Sequence, residues 1–153
     1  MLALSTSPAS RPAPRRQNPA AYNMRLLRRG ALPGASAFAS ARALAAFYAA
    51  VAEGRLFDAG RGAFARAAAP GALDGEPTRW ALGMQVGTAG KGEQRAAVLG
   101  HRGMGGSVGL CVPQAGVAIA VTVSQLSARR DATRQLLAVA LEACGGWSMV
   151  EDL

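Results

Sequence analysis

The sequence predicts an α+β fold, an antiparallel sheet with flanking helices. Three observations lead there. An amphipathic helix with a recognisable start and stop occupies residues 40–54. After Pro77 the period changes: four short segments read as strands, the last of them β-branched on alternate residues. A second amphipathic helix then closes the chain at about 129–143.

Taken in order, residues 1–16, MLALSTSPASRPAPRR, are rich in Ser, Pro, Ala and Arg, and no acidic residue precedes Glu53. Such a start fits an organelle transit peptide or a floppy terminus, so both a cytoplasmic and an organelle-targeted protein stay open. Pro8, Pro12 and Pro14 exclude a long helix here. The domain is expected from residue 17 to 153. Asn18–Arg29 is expected as a short helix, broken by Gly30 and Pro33. In SARALAAFYAAVAEG, the Ser40 hydroxyl can accept from a free N–H of the first turn. Leu44, Phe47, Tyr48 and Val51 form one stripe, and Gly54 suits the left-handed position after the last turn. A weaker helix is expected over Ala59–Ala68, ending before Pro70.

RWALGMQVG (79–87) reads as one strand and RAAVLG (95–100) as another, with a Gly-rich turn between them. SVGLCV (107–112) and GVAIAVTVS (116–124) form a hairpin around PQAG, with Val117, Ile119, Val121 and Val123 alternating. In the closing helix Asp131 stands near the start, Gly145-Gly146 ends it, and Leu136, Leu137, Ala140 and Leu141 share a stripe. Glu151-Asp152 reads as a charged tail.

Composition bounds the function. Of 153 residues, 50% are apolar, enough for one core, although aromatics at 5% make that core thin. No apolar run approaches the roughly 18 residues of a membrane span. The net charge of +8 suggests nucleic acid, yet the 16 arginines are scattered, with doublets only at Arg15-Arg16, Arg28-Arg29 and Arg129-Arg130. No basic stripe is interleaved with aromatics, which speaks against a nucleic-acid groove. Cys111 and Cys144 read as two buried reduced thiols, not a disulfide framework. With His101 they fall short of a zinc set in number and spacing, so neither a metal nor a cofactor is expected.

GHRGMGGSVGL (100–110) holds five glycines and the only histidine. GGSVG matches the nucleophile-elbow pattern, but that elbow needs a helix after its serine and a histidine later in the chain. Here a strand follows Ser107 and His101 comes earlier. His101 follows a predicted strand, and bare backbone at Gly103, Gly105 and Gly106 can approach a ligand or face an oxyanion. Glycine placed in a strand for that purpose is the functional reading; a tight turn beside a bystander histidine is the competing one.

These residues carry a resemblance. SARALAAFYAAVAEGRLFDA, RWALGMQV and GHRGMGGSVGLCVPQAGVAIAVTVSQLS resemble three segments of the β-lactamase-related serine hydrolases, which include class C β-lactamases, DD-peptidases and esterases. The closing helix resembles that family's terminal helix. The resemblance covers the family's C-terminal portion and implies an incomplete serine β-lactamase/penicillin-binding-protein-like fold. It places His101-Arg102-Gly103 where the family has K-T-G, on a strand walling the active site. His101 and Gly103 would then serve the catalytic network and oxyanion hole, with Arg102 and Gly105 toward substrate.

The departures are equally specific. The family's S-x-x-K serine is absent: the single lysine, Lys91, follows Thr88 in T-A-G-K, expected in a hairpin turn. Tyr22-Asn23-Met24 is not Y-x-N, Ala81 replaces a usual glycine, and Arg102 stands where a small residue is usual. Two N-terminal strands of the family sheet are missing, so the strand after PQAG is expected to have an open edge. The resemblance therefore implies a hydrolase relative without its nucleophile, inactive alone. An ester or amide would be its substrate only if the missing N-terminal half were supplied. The alternatives are a non-catalytic interaction domain, self-associating through that edge, and a basic nucleic-acid binder.

Overall fold

The computed structural model describes residues 19–30, 37–56, 68–73, 76–126, 129–151 and 153. The expected helix at 59–68 lies outside them but for Ala68, which is not helical. The chain divides into two compact units, Met1–Phe38 and Ala39–Leu153. In the first, a 3-10 turn at Pro19–Asn23 leads into a one-turn helix α1 (Arg25–Arg29), and the Arg28 guanidinium lies 5.2 Å from the centre of the Phe38 ring. The expected single helix is thus two short pieces.

The second unit carries helix α2 (Ala41–Ala52), strands β1 (Ala69–Leu73), β2 (Glu76–Ala81), β3 (Met84–Lys91), β4 (Gln94–Arg102), β5 (Val108–Val112) and β6 (Val117–Val121), helix α3 (Asp131–Ala143) and strand β7 (Ser148–Glu151). The strands pair in sequence order from β1 to β6, all antiparallel, and β7 joins β3. Sequential antiparallel pairing needs only tight turns, and a glycine at positive φ stands in four of the connections, Gly83, Gly92, Gly106 and Gly116.

Two core layers form because adjacent residues on a strand point to opposite faces. On one face Val98, Leu110, Val112 and Val117 pack with Leu137 and Leu141 of α3 and with Leu153. On the other Val86, Leu99 and Cys111 pack with Tyr48 and Val51 of α2. The helix termini follow their sequence signals. Ser40 Oγ accepts from the Ala43 N–H at 3.2 Å, and Gly54 (φ 74°) and Gly145 (φ 114°) follow α2 and α3.

Four expectations change. RWALGMQVG is two strands, because Leu82 and Gly83, both at positive φ, fold it into the β2–β3 hairpin. Thr88–Lys91 is strand, not turn: it is the end of β3, paired with Ala97 through Gln94. β1 and β7 were not foreseen, because APGAL carries two strand-averse residues and SMVE is short. Phe47 and Leu136, assigned to core stripes, are 45% and 55% exposed. Each apolar stripe is wider than the sheet face that covers it.

Gly109 is where α2 meets the sheet. A Cβ there would lie 2.5 Å from Tyr48 Cε2 and 2.8 Å from Leu44 Cγ. Gly109→Ala should therefore lower unfolding free energy by about 1–3 kcal/mol, the usual cost of overpacking, read from denaturant midpoints.

Candidate functional site

β4 is flanked on both sides, by β3 and by β5. Its last residues outrun β3: the β3 ladder ends at Gln85↔Gly100, while pairing with β5 continues through His101↔Gly109 and Arg102↔Val108. The Gln85 side chain bridges the gap. It is wholly buried, and its Oε1 accepts from the Arg102 N–H at 2.7 Å. Gln85 Nε2 and Arg102 Nε are buried with no hydrogen-bond partner among the described residues.

His101 therefore sits at the end of an interior strand, with its side chain exposed. Its cross-strand neighbour is Gly109, on the α2 face, so no side chain stands opposite it. The Trp80 indole reaches the imidazole, with ring centres 5.8 Å apart and planes at 52°. A Cβ at Gly71 would lie 2.5 Å from Trp80 Cδ1, so the bare backbone of β1 leaves room for that indole. Trp80 belongs to the RWALGMQV segment and His101 to GHRGMGG; the fold brings the two together. Sequence reasoning did not place Trp80 or Gln85 at the site. A hairpin recognised at Leu82-Gly83 would have pointed to Trp80, since it turns β2 back beside β3.

The glycines lie in a turn, not in the strand. Gly103 N–H donates to Ser107 O at 2.7 Å and Gly106 N–H to Gly103 O at 3.1 Å, closing the β4–β5 connection. Gly106 has φ 103°, which only glycine adopts readily. At Gly105 a Cβ would collide with Leu126, so that position is bare for packing. Thr133 Oγ1 of α3 donates to Gly106 O at 2.7 Å, and Ser107 Oγ accepts from Val123 N–H at 3.1 Å. Strand β5 follows Ser107, so the serine is not on an elbow, and its oxygen serves as a clamp. Of the four predicted site residues, His101 and Gly103 lie together at the end of β4. The Arg102 side chain leaves by the opposite face, where it lines a depression of about 20 Å³ with Arg130, Thr133 and Arg134. That volume admits about one water.

Titration removes two further candidates. Burial pushes the Cys111 thiol up to about 12. Tyr48 also rises to about 12, first through burial and then through repulsion from Cys111. Neither is a base or nucleophile at neutral pH. Cys144, expected to be buried, is exposed; both cysteines are free. No group of three or more His, Cys, Asp or Glu residues able to hold a metal ion occurs among the described residues. No described helix is long and apolar enough to cross a membrane.

An antiparallel sheet between helical layers, with an imidazole on an interior strand beside a glycine turn, is the α+β architecture of the β-lactamase and penicillin-binding-protein class. The Beta-lactamase family model matches residues 2–143, and the chain belongs to that family. No curated protein and no solved structure matches it significantly.

Native protein should expose one fast-reacting thiol to an aromatic disulfide reagent and two after unfolding, with Cys144→Ser abolishing the native reaction. Alkaline pH should also destabilise the fold. In the unfolded chain the thiol ionises near 9.0 and the phenol near 10.0, whereas both stay neutral to about 12 when folded. The unfolded state then binds fewer protons, so stability falls as pH rises through that window. Denaturant midpoints measured against pH should show the decline, and Cys111→Ala should make it shallower.

Proposed function

We propose that this chain supplies the His-x-Gly wall of a β-lactamase-family site, His101-Arg102-Gly103, and does not hydrolyse esters or amides by itself. The observation that carries the reading is the exposed His101 imidazole at the end of β4, 5.8 Å from Trp80. An imidazole so placed can donate to or accept from a ligand's carbonyl or carboxylate, and the indole offers that ligand a flat apolar surface.

The missing activity rests on the nucleophile. Acyl transfer through a covalent intermediate needs an activated side chain. Lys91, the only lysine, ends strand β3 with Thr88 before it, and Ser107 Oγ is held by Val123. The Arg102 side chain lies on the other face of the sheet, so ligand contact falls to His101, Trp80 and the backbone of Gly103. This is the site of a hydrolase relative that binds without turning over. An ester or amide is its substrate class only where another segment brings the serine.

Purified chain should hydrolyse nitrocefin and p-nitrophenyl acetate no faster than buffer. Turnover above that background, abolished by His101→Ala in a protein that still folds, would overturn the reading.

A further inference from the structure

Behind the His101 wall, on the other face of the sheet, three arginines meet at one small depression. Arg102 reaches it from the end of β4, Arg130 from the position before α3, and Arg134 from the first turn of that helix. The rest of the lining is backbone and neutral side chains, with no Asp or Glu. Arg102 and Arg130 are half-buried.

This end of β4 is rich in donors and short of acceptors. Arg102 Nε is buried with no hydrogen-bond partner among the described residues. So is Nε2 of Gln85, whose Oε1 accepts from the Arg102 N–H. Both orphaned atoms are donors. The nearby hydroxyls are already engaged: Thr133 Oγ1 donates to Gly106 O, and Ser107 Oγ accepts from Val123 N–H. Nor does a described carboxylate answer the charge. Asp131, next to Arg130 in the chain, pairs with Arg129 at 3.5 Å, and no ion pair among the described residues includes Arg102 or Arg130.

A water would satisfy a donor and leave the positive charge uncompensated. An anion does both, and a hydrogen bond from an ionised donor to it is the stronger kind. Helix α3 adds to that preference, since its start carries no side-chain cap and the first-turn N–H groups bear partial positive charge. Size narrows the choice further. About 20 Å³ takes one water-sized body, which suits a monatomic anion and keeps out a whole sulfate or phosphate.

We propose that this depression binds one chloride ion, held by Arg102 with Arg130 and Arg134 around it. The site lies on the face opposite His101 and does not rest on the reading of the His-x-Gly wall. Its consequence is positional. Arg102 follows His101 on β4, so an anion that fixes its guanidinium against α3 ties the strand end to that helix a second time, beside the Thr133–Gly106 bond.

The test is the chloride NMR line width of the full chain across a chloride titration, at constant ionic strength kept with gluconate, with thermal unfolding followed in the same solutions. Wild-type protein should broaden the chloride line saturably. Its Tm should rise by about 3 °C or more between chloride-free and saturating buffer. Arg102→Gln keeps the backbone N–H that meets Gln85 and should lose both effects. Arg130→Gln should weaken chloride affinity by about tenfold, and it reports on the site even if Arg102→Gln fails to fold. Arg42→Gln removes one charge from an exposed position on α2 and should change neither readout. A wild-type chain without saturable broadening overturns the proposal and makes water the acceptor. Broadening that survives both Arg102→Gln and Arg130→Gln, or that falls equally in Arg42→Gln, also overturns it. The chloride would then belong to the diffuse ion atmosphere of a chain with net charge +8.

Discussion

The second unit is organised by two missing side chains on the central strands. Gly100 on β4 and Gly109 on β5 face opposite sides of the sheet. A methyl at Gly100 would run into Gly109 O, Leu110 and Leu153; one at Gly109 would run into Tyr48 and Leu44. Each bare position lets one layer settle onto the strands, α2 on one face and the chain's last residue on the other. Interiors are packed too densely to absorb an extra carbon without displacing something. Gly109 is also the cross-strand neighbour of His101, so the Tyr48 and Leu44 side chains of α2 settle onto the sheet directly beside the strand that carries the imidazole.

The position of His101 depends on how β4 ends. The strand is held past its β3 partner by the buried Gln85 carboxamide, then turned by Gly103–Ser107. That turn is tied to α3 through Thr133 and to the segment after β6 through Ser107. A histidine at a frayed strand end would sample many orientations. Here both neighbouring segments are hydrogen-bonded on more than one side, and Trp80 packs against the ring. The hydroxyls that might have suggested chemistry, Ser107 and Thr133, are spent on this clamp. Such a division suits a binding wall, in which rigid backbone supports a single exposed polar group.

Much of the fold was legible because local physics wrote it. Ser40 caps α2, Gly54 and Gly145 follow the helices, and the alternation of Val117, Ile119 and Val121 marks β6. The hairpin at Leu82-Gly83 was not legible, since Leu at φ 51° is sterically disfavoured and gives no turn signal. Nor was β7, whose four residues form a strand only because β3 lies beside them. The glycines after His101 showed the opposite failure. Their abundance was plain, but whether they made strand or turn depended on Thr133, some 27 residues beyond Gly106.

By itself the sequence determined the α+β class, the family likeness through its helix and H-x-G segments, the two helices with their caps, and the absence of S-x-x-K. Those follow from residue type and short-range spacing. Only the tertiary structure decided that Trp80 stands beside His101, that Arg102 leaves by the other face, and that Cys111 is buried while Cys144 is not. Each depends on strand register and on which faces the two helices cover. Register is set by long-range pairing, and a slip of one residue would exchange every face.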